Sequence, residues 1–546
     1  MSRRHTTGEP PAPGFRAAMD AVHTWAGVLF AALLFAIFLM GTLSVFDREI
    51  DRWAQPPTRQ MHTGTDGPAV SLDAAVQQLQ ALAPPAATTW LLYPPSDRVP
   101  TLRIGWSGGG VEQRLRDLDA STGRLLPEAG APVGTRLFFP FHYSLLWKWK
   151  DVGQWIAGAA ATAMLLAVVS GVATHRRLFK DFFTFRPAKR LQRASLDLHN
   201  VTAVFGLPFH VLIALSGLIV FASLYLQPAV EWVYGGKREA FNQQALSRYT
   251  RPPARQPLAT RHSIDALAAQ AQAAWSAAGE NGRVGVVIVR QPHDASAVVE
   301  VRRNYDGRIT LATDTRYFDA ASGALLHAEQ LQPVARTQRF IIGLHLIQFD
   351  HWTLRWLYFV MGAAGCVMIA AGSIAWVEKR RERHARLGRR GAALVEALTA
   401  AAVCGLPIAA VSALCGSLLL PWSAADAMPP LASATRVFFA AWLACLAHAL
   451  LQALVLPARR APWREQSAVL AALALTAVGL NWWSSGDHLL RTLARGDWAT
   501  ACVDLGLLAV AALAARAGWR LRHASTAAAA RPAAGWPRAA GEEPLR

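Results

Sequence analysis

The stretch Asp20-Ala-Val-His23-Thr-Trp-Ala-Gly27 opens a long apolar segment, and Asp197-Leu-His199-Asn-Val201 opens another one 176 residues later. Each is followed by a soluble stretch, a second histidine (His142 or His345), a second apolar segment and a basic run. Other residues recur at similar offsets: Gly41 and Gly217 are 176 residues apart, and Asp119 and Gly123 precede Asp319 and Gly323 by 200. The repetition predicts a duplicated unit in which two membrane helices flank one soluble module.

The composition indicates a protein that crosses a lipid bilayer several times. Of the 546 residues, 53% are hydrophobic and 17% are charged. The apolar residues are concentrated in segments long enough to cross about 30 Å of hydrocarbon. Eight such segments are predicted, at residues 23–46, 153–174, 200–224, 354–377, 393–420, 437–457, 467–484 and 499–515. The first segment lacks a convincing signal-peptidase site, so we interpret it as a retained span.

The net charge of +19 comes largely from lysines and arginines in short loops beside the predicted spans. Such loops set membrane topology, so binding to nucleic acid is not expected. With eight spans, four basic runs fall on the same side as the N-terminal arginines: residues 176–193, 379–390, 459–464 and 516–522. This distribution predicts that both termini are cytoplasmic and that the two long soluble stretches lie outside.

The predicted fold class is a mainly α membrane protein with two outer α+β modules. In each module a helix opens at Ser71-Leu-Asp73 or Ser263-Ile-Asp265 and several strands follow. The first four spans are expected to form a bundle, and about four C-terminal helices are additional. The predicted boundaries are a cytoplasmic N-terminus (1–22), a first span (23–46), a first module (47–140), a second span with its lead-in (141–175), a basic loop (176–198), a third span (199–225), a second module (226–340), a fourth span with its lead-in (341–377), a second basic loop (378–392), spans five to eight (393–516) and a disordered tail (517–546).

Six histidines lie at two predicted depths in the bundle. Those at the cytoplasmic ends of spans are His23, His175 and His199, and those before the second and fourth spans are His142 and His345. His210 follows His199 by eleven residues, which places it on the same face of a continuous helix about 16 Å along the axis. Because a b-type haem iron takes two axial imidazoles from facing helices, two tiers of histidines predict two stacked haem b groups.

The duplication favours one pairing of these histidines. A pseudo-twofold axis would pair His23 with His199 at the inner haem and His142 with His345 at the outer haem. His175 is an alternative inner ligand, and His210 is an alternative outer ligand. A zinc or copper site is the non-haem alternative, although no HxxxH or HExxH motif lies in these spans.

Several stretches resemble the PepSY-associated transmembrane family over about residues 17 to 385. They are Asp20–Gly27, the segment Ser170-Gly-Val-Ala-Thr-His-Arg-Arg-Leu-Phe-Lys-Asp-Phe-Phe-Thr-Phe-Arg-Pro187, Asp197–Val201 and Gly206-Leu-Pro-Phe-His210. The resemblance implies a di-haem reductase of the Gram-negative inner membrane, which takes iron from ferric siderophores in the periplasm. It also implies that the outer modules are PepSY-like and that the six histidines fall where the family carries its own. The four C-terminal spans depart from the family's basic four-helix form.

We therefore expect a haem-dependent oxidoreductase that passes electrons from a cytoplasmic reductase or a quinol to a ferric siderophore bound between the two outer modules. Two alternatives remain open at this point. One is a haem-free PepSY-type sensor or regulatory protein that binds an outer partner, and the other is a siderophore transporter that uses the C-terminal spans as its conduit.

Overall fold

The computed structural model describes residues 14–59, 71–174, 186, 190–280, 282–305, 307–419, 430–456 and 461–529. Within these ranges the chain is mainly helical and contains one seven-stranded sheet. His175, most of the first basic run and the chain beyond residue 529 lie outside the described residues. The last helix continues to Ala529, so the tail predicted to begin at residue 517 is helical over its first part.

The helices are α1 (Phe15–Ser44), α2 (Asp47–Ala54), α3 (Leu72–Leu82), α4 (Phe139–Ser144), α5 (Val152–Thr174), α6 (Leu191–Phe205), α7 (Leu207–Val220), α8 (Ala222–Tyr225), α9 (Gln227–Tyr234), α10 (Arg238–Leu246), α11 (Ile264–Ala277), α12 (Pro333–Leu346), α13 (Trp352–Arg386), α14 (Gly391–Ala400), α15 (Leu406–Leu419), α16 (Pro430–Leu454), α17 (Ala461–Ser485), α18 (Leu489–Ala494) and α19 (Trp498–Ala529). The strands are β1 (Thr89–Tyr93), β2 (Leu102–Gly108), β3 (Val111–Leu118), β4 (Val284–Arg290), β5 (Val298–Arg303), β6 (Thr315–Asp319) and β7 (Leu325–Ala328). Short 3-10 turns occupy Pro56–Thr58 and Trp149–Asp151, and π-helical turns occupy Gly134–Phe138 and Ala401–Gly405.

Seven helices in the described ranges are long and apolar enough to cross a membrane. They are α1, α5 with the turn before it, α13, α14 continued through a π-helical turn into α15, α16, α17 and α19. Helices α6 and α7 pass the same test only together, and their axes differ by 68°. Counted as one span, this bent pair gives eight, which is the number predicted from the apolar segments.

The third span is therefore not the straight helix that the prediction assumed. Gly206 ends α6, and Pro208 lies in the first turn of α7. Proline has no backbone N–H to donate and disfavours a helical residue before it, so a helix breaks readily at this position. His199 lies on α6 and His210 on α7. The prediction that the two share one face of a continuous helix is wrong.

The two predicted soluble modules form a single antiparallel sheet with the strand order β3-β2-β1-β4-β5-β6-β7. The halves meet at β1 and β4, where Leu91 pairs with Ile288. Helices α3 and α11 pack against the sheet, and one core that includes Trp90 and Trp275 spans both halves. Backbone hydrogen bonds between β1 and β4 occupy the edge at which the two halves meet, and the siderophore site expected between the modules stays a prediction.

Helices α3 and α11 exchange their capping carboxylates across the line that relates the two halves. Asp73 of α3 accepts hydrogen bonds from the Ile264 N–H (2.6 Å) and the Ser263 hydroxyl (2.5 Å) of α11. Asp265 of α11 accepts in return from the Leu72 N–H at 2.9 Å. A carboxylate at a helix N-terminus satisfies unpaired N–H groups and stabilises the helix dipole. The reciprocal caps therefore hold the two halves of the duplication together.

The C-terminal helices pack against the first half of the duplication. Their shared core contains side chains from α1, α2 and α4 on one side and from α15, α16, α17 and α19 on the other. A second core, which includes Leu34, Met164, Ala214 and Ile369, lies inside the bundle formed by α1, α5, α7 and α13.

Candidate functional site

Four of the predicted histidines meet as two facing pairs inside the bundle. The ring centres of His23 and His199 are 6.1 Å apart, and those of His142 and His345 are 6.0 Å apart. These are the pairs that the duplication favours. Each pair joins a helix of the first half to a helix of the second, so the two halves build both sites together.

The separation within each pair suits a metal bound between two imidazoles. Metal–imidazole bonds measure about 2 Å, and the ring centre lies roughly 1.2 Å behind the bonding nitrogen, so a bis-imidazole metal separates the ring centres by about 6 Å. Both observed separations agree with this value. Two axial imidazoles are the protein ligands that a six-coordinate haem iron requires.

Each imidazole is oriented by a hydrogen bond at its Nδ1 atom. The acceptors are the carbonyl oxygens of Ala167 for His23, Ile37 for His142 and Met368 for His199, each at 2.8 Å, and the Ser216 hydroxyl for His345 at 3.1 Å. Because a carbonyl oxygen only accepts, His23, His142 and His199 carry their proton on Nδ1, so Nε2 is the ring nitrogen with a lone pair. The Ser216 hydroxyl donates to Leu212, which leaves its lone pair for His345.

Every one of the four rings also packs against a helical glycine. A Cβ built on the glycine would lie 2.6–3.0 Å from the ring Cε1, and the pairs are Gly41 with His142, Gly217 with His345, Gly171 with His23 and Gly372 with His199. At Gly41, Gly217 and Gly372 the added Cβ would come within 3.0 Å of a ring atom and force the ring or the helix to shift. At Gly171 the contact would be tight, at 3.0 Å. Gly41 and Gly217, which the sequence repeat relates to each other, are thus the glycines that contact the two imidazoles of the His142–His345 pair.

Each histidine pair lines a cavity. The cavity lined by His23 and His199, which we call the distal cavity because it is the one farther from the sheet, has a volume of about 390 Å³ and reaches Asp20, Lys379 and Arg380. The sheet-side cavity, with His142 and His345, has a volume of about 430 Å³ and reaches Asp47, Arg98 and Gln348. Both volumes are typical of ligand sites, which measure about 300–1,000 Å³. Leu34 and Met164 line both cavities, so the two sites share a wall.

His210 does not lie where the sequence placed it. It was predicted as an alternative ligand at the outer tier, but it lines the distal cavity because the bend at Gly206 redirects α7. It is 1% exposed, its ring packs edge-on against Phe38, and its Nε2 atom has no hydrogen-bond partner among the described residues. His175, the alternative inner ligand, lies outside the described residues.

A buried ion cluster beside the sheet-side cavity was missed by the sequence analysis. Arg98, on the loop between β1 and β2, donates to both carboxylate oxygens of Glu49 (2.7 and 2.8 Å) and to Asp47 at 3.0 Å. Burial acts to raise the pKa of Glu49, but the charges of Arg98 and Arg355 and the hydrogen bonds to the carboxylate together hold the pKa below its usual value. The sequence does contain a signal for this cluster: acidic residues occupy alternate positions directly after an apolar segment, at Asp47, Glu49 and Asp51.

The zinc or copper alternative finds no additional ligands. Throughout the described ranges, no group of three or more His, Cys, Asp or Glu side chains is placed to hold a metal ion. Protein zinc sites use three or four side-chain ligands, whereas each pair here supplies two imidazoles and a cavity beside them.

Comparison with known proteins identifies relatives for most of the chain. The model of the family described as "PepSY-associated TM region" matches residues 21–379, which include both histidine pairs and the whole sheet. An uncharacterized protein of Pseudomonas aeruginosa, PA4219, is 27% identical over 399 residues, covering 68% of this chain and 92% of the relative. Helices α14 to α19 lie beyond the family match.

Proposed function

Because the chain belongs to the PepSY-associated TM family, we propose that it is a haem-dependent oxidoreductase of the bacterial inner membrane that reduces ferric siderophores in the periplasm. The observation that supports this proposal best is the pair of facing imidazole sets, with ring centres 6.1 and 6.0 Å apart, in adjoining cavities. A scaffold or sensor without haem has no need for matched imidazole pairs.

His23 and His199 would hold one haem b, and His142 and His345 the other, each through Nε2. Bound in these cavities, the haems supply one-electron chemistry that the amino-acid side chains lack. The four imidazole rings are held by the hydrogen bonds at Nδ1 and by the contacts with the helical glycines. Apolar side chains surround both sites. Lys379 and Arg380 at the distal cavity would bind anionic carboxylates of the cofactor held there.

The arrangement of charges supports an orientation in the membrane. The basic run 379–390 forms the last turns of α13 and the turn after it, at the end of the bundle remote from the sheet. Positively charged loops remain in the cytoplasm, so the sheet would lie in the periplasm and the distal cavity near the cytoplasm. Electrons would enter from a cytoplasmic reductase or a quinol and leave on the sheet side.

The proposed reaction transfers one electron to the Fe(III) of a siderophore and yields Fe(II) and the free chelator. Hard oxygen donors bind Fe(II) far more weakly than Fe(III), so reduction releases the metal without acid or base catalysis. The substrate would approach the sheet-side cavity rather than the seam between the halves, which β1 and β4 close.

This reaction is tested with protein reduced anaerobically and then mixed with a ferric hydroxamate siderophore. We expect the haem spectrum to reoxidise and a ferrous-specific chelator to trap Fe(II). The gallium(III) complex of the same siderophore, which has the same shape and charge but is not reduced, is the control. A spectrum that stays reduced with the ferric complex contradicts the proposed activity.

One observation favours a second candidate, a siderophore transporter. Transporters often use membrane helices that are broken near the substrate site, and α6 and α7 form such a broken span. Transport predicts accumulation of the intact gallium complex in vesicles without any reductant, whereas a reductase predicts none.

A further inference from the structure

The two histidines of the sheet-side cavity are supported differently. His345 lies in the last turn of α12. Gly343 of this helix packs against the Ile309 carbonyl, and the Arg339 carbonyl accepts from the Leu311 N–H, so α12 is supported by the second half of the duplication. His142 lies on α4, a helix of six residues, and α4 is backed by the C-terminal helices. The family match does not extend over those helices.

An aromatic cluster forms the first contact between α4 and the C-terminal helices. Phe141, directly before His142, is 2% exposed. Its ring centre lies 5.5 Å from that of Phe438 and 5.9 Å from that of Trp442, both on α16. Phe438 is itself fully buried. Aromatic pairs at these distances add stabilisation beyond the area that they bury.

A chain of buried hydrogen bonds forms the second contact. The Ser417 hydroxyl of α15 accepts from the Ala131 N–H at 2.7 Å, ahead of α4. Asp51 of α2 accepts from the Gly134 N–H, also at 2.7 Å, where the π-helical turn leading to α4 begins. The approach to His142 is thus tied at one point to α15 and at another to α2.

Helix α2 is in turn held by α17 and α19. The Trp53 indole donates to Asp504 of α19 at 2.8 Å, and Asp504 also accepts from Asn481 of α17 at 3.3 Å. Arg52 forms an ion pair with Asp497 at 3.2 Å. Asp504 and Asn481 are both fully buried. Polar groups buried at membrane depth are costly unless they are paired, so these bonds select one position of α2 against α19.

We propose that the C-terminal helices α15 to α19 position His142, and so tune the sheet-side site without acting on the distal site, through Phe438, Ser417 and Asp504. Helix α14 borders the distal cavity through Val395, but in the described part of the chain no residue of α15 to α19 lines that cavity. These helices then act as a one-sided support for the cofactor site nearest the substrate, rather than as a separate conduit. The role assigned to His142 rests on the proposed function.

The test compares Phe438→Ala and Asp504→Ala with Leu443→Ala, a substitution on α16 at a position that is 60% exposed and faces away from the cluster. Hydrogen exchange of the full chain in nanodiscs is measured for residues 131–144 and for residues 333–346. We expect exchange of the first segment to accelerate by about tenfold or more, with little change in the second. Redox titration should shift the midpoint potential of the sheet-side haem and leave that of the distal haem unchanged.

Unchanged exchange at residues 131–144, equal acceleration of both segments, or equal shifts of both haem potentials would overturn this inference. If Phe438→Ala does not fold, Phe438→Leu and Asp504→Asn give the same comparison with smaller perturbations. The exchange measurement does not depend on haem. If the protein lacks haem but exchange at residues 131–144 still accelerates selectively, the proposed function is refuted and this inference stands. If the protein binds two haems but exchange does not accelerate selectively, this inference is refuted and the proposed function stands.

Discussion

His142 rests directly on Gly41: a Cβ built on this glycine would lie 2.6 Å from the ring Cε1 and 2.7 Å from Nδ1. The contact leaves no room for even a methyl group, and the ring is held in place by its bond to the Ile37 carbonyl. The smallest possible substitution at Gly41 must therefore move the imidazole or the helix.

We expect Gly41→Ala to weaken haem binding at the sheet-side cavity by an overpacking cost of about 1–3 kcal/mol. The distal haem should stay bound, because Gly41 does not line the distal cavity. Haem content and the reduced spectrum of the purified variant measure the effect. Gly479→Ala, at a glycine whose Cβ would meet nothing within 4 Å, is the control. Full retention of both haems in Gly41→Ala would show that His142 is not held against this helix.

Ser216→Ala removes the side-chain acceptor at Nδ1 of His345. Loss of such an outer partner typically costs about 10–100-fold in metal affinity or activity, and we expect a shift of the sheet-side midpoint potential or a loss of that haem. Thr399→Ala is the control, since Thr399 is buried and its hydroxyl donates to the Val395 carbonyl of its own helix, α14. Identical potentials in the two variants would exclude a role for Ser216 in orienting the ring.

Asp51 should make the stability of the protein depend on pH. Burial raises the pKa of Asp51 to about 7, although hydrogen bonds from Thr135 and Gly134 oppose the shift. Because the folded pKa lies above the unfolded value of about 3.9, the contribution to stability is complete below that value and is lost as the pH rises through 7. We expect wild-type protein to lose thermal stability between pH 5 and pH 8 relative to Asp51→Asn, which cannot titrate.

The Asp51 comparison is read from the difference in melting temperature between the two proteins at each pH, so that other titrating groups cancel. A difference that stays constant from pH 5 to pH 8 would mean that Asp51 is ionised in the folded protein throughout this range.

The exchanged caps Asp73 and Asp265 should each contribute to the stability of the sheet. Asp73→Ala leaves the Ile264 N–H and the Ser263 hydroxyl of α11 without this acceptor, and replacement of a cap by alanine costs about 0.5–2 kcal/mol. Asp73→Asn keeps an acceptor oxygen and should lose less. Denaturant titration that follows the tryptophans of the sheet measures the difference. Equal stability of wild type and Asp73→Ala would show that the Asp73 cap does not help to hold the two halves together.

Much of the site could be predicted because it follows the internal duplication. His23 and His199 share one offset with Gly41 and Gly217, and two halves related by a pseudo-twofold axis bring equivalent residues face to face. The spans and most strands also follow from local patterns of apolar residues. Several helices extend beyond the predicted bounds of the spans: α1 begins at Phe15 rather than at residue 23, and α19 continues to Ala529 rather than ending at residue 515.

Other features could not be predicted because they depend on non-local contacts or on a local break. The apolar run continues through Gly206 and Pro208, so hydropathy alone does not reveal that the third span bends there. The pairing of β1 with β4 joins strands almost 200 residues apart, and no local pattern specifies it. The contacts of Phe438 and Asp504 with the first half have no counterpart in the repeat and so leave no trace in its periodicity.

Haem content and the reduced-minus-oxidised spectrum of protein from haem-replete cells, measured for the wild type and for single His→Ala variants, test the central claim most directly. We predict two b-type haems per wild-type chain, loss of one and the same haem in His23→Ala and His199→Ala, loss of the other in His142→Ala and His345→Ala, and retention of both in His210→Ala. A colourless wild-type protein, or variants of the four facing histidines that keep both haems, would contradict the claim.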